Sequence, residues 1–307
     1  MEIILAKTQG FCSGVANAVK IVDSSLKKYG PPIYVYHEIV HNTHVVEDFK
    51  RRGVIFVEDI VEVPTGGRLI FSAHGIPPQV LEKAKSRGLQ WTDATCPLVK
   101  RVHQEAERFS QKGYEIILIG HKGHQEMIGT AGYIATHLLH IVENPKDINL
   151  LKIAPSRPVA YLTQTTLSVD ETRDIIARIK ERFPNVIEPS RSDICFATQK
   201  RQDAVKELAK KVDVILVCGS ASSSNSNRLR ETGEQQGVPS YIIDSADELN
   251  QEWLKGCGRI GISSGASVPQ YVVEGLIGRV QDFFAGITGA KMTGSKRHEG
   301  NNDLERI

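Results

Sequence analysis

No stretch of this 307-residue chain is apolar for long enough to span a bilayer. The opening MEIILAKTQGFC carries an acidic Glu2 and only a short apolar run, so it reads as a strand rather than a secretion signal. Charge of one sign is scarce: 38 Lys and Arg stand against 36 Asp and Glu, which leaves no basic footprint for nucleic acid. There is no C-x-x-C pair, so a simple zinc finger is not expected, and the glycines and lysine of a P-loop are missing. Five cysteines without a secretion signal suit a reducing, cytoplasmic compartment, where thiols serve metals or catalysis more often than disulfides. What is present is the composition of an ordinary α/β protein, 40% hydrophobic and 24% charged, in a chain long enough for two or three lobes.

The chain carries a three-fold repeat of pattern. Cys12, Cys96 and Cys195 each stand just before a helix-like stretch, SGVANAVKIVDSSLKK, PLVKRVHQEAERFSQK and FATQKRQDAVKELAKK. An apolar strand follows each: PIYVYH, YEIILIGH and VDVILVCGS. Each unit then offers a second strand (VIFVE, LLHIVEN, SYIID) and a third (RLIFSAHG, PVAYLTQTT, RIGISSGAS), followed by another helical segment. A last strand leads back to the next cysteine, as LQWTDATC and NVIEPSRSDIC, and EIILAKTQGFC at the N-terminus supplies it for the third unit. Alternating strands and helices argue for parallel sheets, whose ligands gather beyond the carboxyl ends of the strands. The expectation is an α/β fold of three similar lobes in pseudo-three-fold arrangement, spanning 14–96, 97–194 and 195–285 together with 1–13. The polar, aperiodic tail 286–307 is expected to be mostly disordered.

Three thiolates at equivalent places in such a repeat suit either a cubane iron–sulfur cluster with one open iron or a zinc ion with an open fourth site. A helix N-terminus behind each would stabilise its negative charge. Cys218, inside an apolar strand, reads as a small buried residue, and Cys257 sits in a turn with no partner in view. His41, His74 and His124 each follow a strand where a ligand site would form, whereas His121 shares its loop with His124 without having to face the same way. Glu126 opens a helix and is either a first-turn carboxylate favouring the dipole or, in a closed pocket, a proton donor. The run Ser222, Ser223, Ser224, Asn225 before a helix makes an anion site of hydroxyls, an amide and free N–H groups. Ser267 serves equally as a helix cap or a phosphate contact, Thr165 and Thr166 end a strand, and Ser168 reads as the next helix's cap.

Together, the strings GFCSGV, VHNTHVV, FSAHGIP, DATCPLV, GHKGHQEMIGTAGY, TQTTLS, ICFATQKRQ, GSASSSNSNRL and GASVPQ resemble the 4-hydroxy-3-methylbut-2-enyl diphosphate reductase family from about Ile3 to Val273. The resemblance implies three α/β lobes around a central 4Fe–4S cluster held by Cys12, Cys96 and Cys195. It implies substrate contacts from His41, His74 and His124, proton delivery by Glu126, and Thr165 beside the substrate hydroxyl. Ser223, Ser224, Asn225 and Ser267 match the residues that hold the diphosphate. A ferredoxin- or flavodoxin-type electron donor is implied as well. Gln125 stands where the family often has proline and Phe196 where tyrosine is common, while Ala221 and Ser222 replace more usual residues. Two rivals remain from the residues alone, a zinc-dependent phosphate-ester hydrolase and a non-catalytic metal-binding regulator. Metal and sulfide content separates the first; the second has no use for Glu126 or the serine–asparagine run.

Overall fold

A computed structural model describes residues 2–288, and strands alternate with helices throughout them. In chain order come β1 (Glu2–Leu5), α1 (Ser13–Tyr29), β2 (Ile33–Tyr36), α2 (Thr43–Arg51), β3 (Val54–Val57), β4 (Arg68–Phe71), α3 (Pro78–Ser86) and β5 (Gln90–Asp93). Next are α4 (Pro97–Gln111), β6 (Glu115–Ile119), α5 (Gln125–Ala131), β7 (Leu139–Val142), the short α6 (Asp147–Leu150), β8 (Val159–Thr163) and α7 (Val169–Arg182). The chain continues through α8 (Phe196–Ala209), β9 (Val214–Cys218), α9 (Ser224–Gln235), β10 (Ser240–Ile243), β11 (Arg259–Ser264) and α10 (Gln270–Thr288).

Three sheets result, ordered β3-β2-β4-β5, β7-β6-β8 and β1-β11-β9-β10, and every pairing in them is parallel. Strands buried on both faces read as unbroken apolar runs, and successive side chains supply opposite faces. In β6, Ile116 and Leu118 join one hydrophobic cluster while Ile117 and Ile119 join another. In β9, Val214, Leu216 and Cys218 divide in the same way from Ile215 and Val217. The N-terminal β1 pairs with β11, so the first residues of the chain complete the last sheet.

The strand read over NVIEPSRSDIC does not form. Only Ile187 bridges to Ala160, with Tyr161 N–H donating to Ile187 carbonyl at 3.2 Å and Ile187 N–H to Val159 carbonyl at 2.8 Å. Pro184 and Pro189 flank that bridge, and proline has no N–H for a ladder. The last helix runs through Thr288, and the remainder of the polar tail, 289–307, lies outside the described residues.

Candidate active site

Each cysteine of the repeat is the N-cap of its helix, Cys12 for α1, Cys96 for α4 and Cys195 for α8. Pro97 takes the first position of α4, where the missing N–H costs nothing. The backbone around them is equivalent in all three lobes. Cys12 N–H donates to Ala266 carbonyl at 3.1 Å, Cys96 N–H to Ala73 carbonyl at 3.0 Å, and Cys195 N–H to Thr165 carbonyl at 3.0 Å. Ala266, Ala73 and Thr165 each lie two residues beyond the end of β11, β4 and β8. Every cysteine is thereby tied to a loop bearing a candidate site residue: Ser267, His74 and Thr165 itself.

All three thiols are free and partly exposed. Cys96 is pushed up by burial and then by the neighbouring Cys12 and Cys195, so the three sulfurs sense one another. Gly14 leaves the space between two of them. A Cβ placed there would lie 2.7 Å from Cys96 Sγ and 3.9 Å from Cys12 Sγ. Soft donors converging from three helix N-termini, beside a glycine that a side chain would close off, fit an iron–sulfur cluster. Cys218 is buried within β9, where burial pushes it up to about 12, and Cys257 is half-buried near Asp213.

The loops that follow β2, β4 and β6 meet through three imidazoles. His41 and His74 stack with centroids 4.0 Å apart, and His124 packs edge-on to them at 5.4 and 6.0 Å. Burial holds His74 well below its ordinary value, with His41 and His124 adding to the effect. Burial lowers His124 to about 3, helped by His41 and His121. These two rings are therefore neutral in the free protein, and His41 Nε2 is buried without a partner.

His124 caps α5, its Nδ1 accepting Glu126 N–H at 3.2 Å. The turn aims Glu126 inward, where Oε1 accepts Thr165 N–H at 2.6 Å and Oε2 accepts the Thr165 hydroxyl at 3.1 Å. Burial outweighs those bonds and pushes the carboxyl up to about 7. Across the boundary to the third lobe, Ser224 Oγ accepts from Gln164 Nε2 at 3.2 Å and from Thr166 Oγ1 at 3.1 Å. Ser223 caps α9, and Asn225 in the helix's first turn is 5% exposed with both amide atoms unpaired. Ser267 Oγ donates to the His41 carbonyl at 2.8 Å and ties the loop after β11 to the first lobe. An unpaired buried amide is costly unless a polar ligand completes it.

The structure groups His41, His74, His124, Glu126 and Thr165, joins Thr166 to Ser224 and Ser267 to the His41 backbone, and leaves Ser222 exposed and bonded to Ser220. His121 turns away, its Nε2 taking Arg228 Nη2 at 2.6 Å. Two residues escaped the reading of the sequence. Gln164 is 1% exposed and links the His121 backbone to Ser224; its only signal was membership of the TQTT string. Arg201, 2% exposed, lies near Cys12 and Cys195, and aligning the three helices on their cysteines would have exposed it.

Parallel α/β lobes with N-capping thiols, packed imidazoles and a buried acid at the contacts between them define a three-lobed α/β protein with a candidate ligand site. Residues 3–281 match the family described as LytB protein, and the chain belongs to that family. It is 49% identical over 293 residues to a protein of Methylibium petroleiphilum named 4-hydroxy-3-methylbut-2-enyl diphosphate reductase, covering 95% of this chain and 88% of that one. The solved structure of the E-1-hydroxy-2-methyl-but-2-enyl-4-diphosphate reductase from Plasmodium falciparum superposes with a TM-score of 0.88 at 40% identity, covering 90% of this chain and 87% of that one. A second solved structure, described as the terminal enzyme of the non-mevalonate pathway, gives 0.64 at 36% identity, covering 92% and 100%.

Proposed function

We propose that this protein reductively removes the hydroxyl of (E)-4-hydroxy-3-methylbut-2-enyl diphosphate. Two electrons and two protons are consumed, water leaves, and isopentenyl or dimethylallyl diphosphate is formed. The observation that supports this most directly is the run of contacts from Ser267 through His41, His74 and His124 to Glu126 and Thr165, whose carbonyl accepts the N–H of Cys195, one of three neighbouring thiols.

Cys12, Cys96 and Cys195 hold a 4Fe–4S cluster in this reading. When bound, it supplies single electrons and the Lewis acidity of an open iron. The remaining work belongs to side chains. Ser223, Ser224, Asn225 and Ser267, with the N–H groups opening α9, neutralise and orient the diphosphate. The neutral imidazoles of His74 and His124, with His41, line the route to the hydroxyl end. Hydroxide leaves poorly, and Glu126, pushed up to about 7, holds the proton that departs with it. Thr165, bonded to both carboxylate oxygens, fixes that proton's position and lies between Glu126 and the Cys195 loop. Electrons come from a ferredoxin- or flavodoxin-type protein in the cytoplasm.

A zinc ion would draw its ligands to about 2.0–2.3 Å from one point. Metal and sulfide content separates the multi-iron cluster from the zinc hydrolase. Anaerobic purification followed by iron and sulfide analysis tests the reading. Brown protein is expected, with the cluster weakened by serine at Cys12, Cys96 or Cys195 and kept with serine at Cys218 or Cys257. Equal cluster loss at all five positions would sink the assignment.

A further inference from the structure

Aligning the three cysteine-capped helices isolates one residue. Six positions beyond Cys12, Cys96 and Cys195 stand Ala18, Val102 and Arg201, and all three are buried. Two lobes fill this place with an apolar side chain, and the third fills it with a guanidinium. Arg201 is the only lysine or arginine among the buried residues described, and no described carboxylate pairs with it. Its Nη2 donates to Gly10 carbonyl at 2.5 Å and its Nη1 to Ala197 carbonyl at 3.2 Å. The side chain thereby grips the loop before Cys12 and the first turn after Cys195. Its Nε is buried with no partner.

A buried cation is expensive unless a counter-charge faces it, and a guanidinium does not escape by losing its proton. Burial pulls Arg201 below its ordinary value, while the side chains of Cys12 and Cys195 act in the opposite direction. We propose that Arg201 is the fixed counter-charge of the metal cluster carried by Cys12, Cys96 and Cys195, and that it raises the cluster's reduction potential while holding two ligand loops. This rests on the cluster reading above. Each added electron makes a thiolate-bound cluster more negative, so a fixed cation beside it stabilises the reduced form more than the oxidised one. Arg201 is a positioning and tuning residue, not a catalytic one.

The test is a redox titration of anaerobically prepared holoprotein, followed by absorbance and electron paramagnetic resonance. Wild type is compared with Arg201→Gln and Arg201→Lys, with circular dichroism to verify folding. Arg201→Gln is expected to lower the equilibrium constant for one-electron reduction at least tenfold, a potential about 59 mV more negative. Arg201→Lys keeps the charge and is expected to stay within threefold of wild type. A glutamine variant that matches wild type overturns the proposal. Where glutamine abolishes cluster binding, the lysine variant decides. Wild-type iron and sulfide content in the lysine variant supports the charge role. Equal loss in it overturns that role, because the carbonyl bonds would then be what matters. Wild-type protein devoid of iron and sulfide would sink the cluster reading itself, and Arg201's role with it.

Discussion

Glu126 is 3% exposed, and burial at that depth wins over two hydrogen bonds that favour its ionised form. The sign of the consequence is unusual for a carboxylate. With the folded value raised from 4.5 to about 7, the folded chain keeps its proton longer than the unfolded chain does. Stability from this group is therefore complete below about 4.5, falls as pH rises to about 7, and is level above that. The total is on the order of 3 kcal/mol. Glu126→Gln mimics the neutral acid, so it is expected to remove that part of the pH dependence and to be relatively more stable than wild type at pH 8. It retains the amide oxygen for Thr165 N–H but has no proton to give, so turnover with a chemical reductant is expected to drop by about 10²–10⁴-fold. The cluster spectrum and its response to substrate should persist. In wild type, turnover is expected to decline as pH rises through about 7, where Glu126 ionises. Near-normal turnover in the glutamine variant would remove Glu126 from the proton path.

At the scale of the element, α1 shows how tightly a helix start is matched to its neighbour. Alanine in place of Gly14 would favour the helix by up to about 1 kcal/mol. Its Cβ, however, would sit 2.7 Å from Cys96 Sγ. A free thiol rotates away, but a metal-bound one does not. Gly14→Ala is therefore expected to give a folded, cluster-free protein at least as heat-stable as wild-type apoprotein, yet with markedly less iron and sulfide after reconstitution. Full cluster occupancy in Gly14→Ala would argue against Cys96 as a ligand. This scale also shows what was legible beforehand. The N-capping cysteines, the recurring strand and helix rhythm and the loop residues after the strands were readable because parallel sheets place them by chain order. The failed strand at Ile187 was not, since its apolar residues resemble those of a strand and only the prolines on either side forbid one. Ser224 and Asn225 had seemed to precede α9 but form its first turn, with Ser223 as the cap. Gln164 and Arg201 depended on contacts between lobes, which periodicity within one segment does not carry.

For the whole molecule, the boundary between the first and second lobes runs past His103. This residue of α4 stacks on Tyr133 with centroids 4.5 Å apart and is pressed so closely against Gly75 that a Cβ there has no room. Gly75 follows His74 directly, so the histidine wedge backs the site from behind. Burial lowers His103 from 6.5 to about 4, more than the nearby Asp93 recovers, and its Nε2 is buried without a partner. The native fold thus keeps this ring neutral, while the unfolded chain takes up a proton from 6.5 downward. The fold then loses stability as pH falls from 6.5 to about 4, opposite in direction to Glu126. His74, His121 and His124 are shifted in the same direction by burial, and their contributions add to the acid-side loss. Between pH 7 and pH 5 the His103 share is about 2 kcal/mol. His103→Gln keeps a polar side chain that has no proton to gain. Its urea unfolding free energy at pH 7 is expected to be below wild type, because the ring's stacking on Tyr133 is lost. The further fall on going to pH 5 should be smaller than in wild type by about 2 kcal/mol. Taking the difference between two pH values cancels the packing cost and leaves the protonation term. An equal fall in both proteins would mean that the His103 ring accepts a proton without opening the boundary between the lobes.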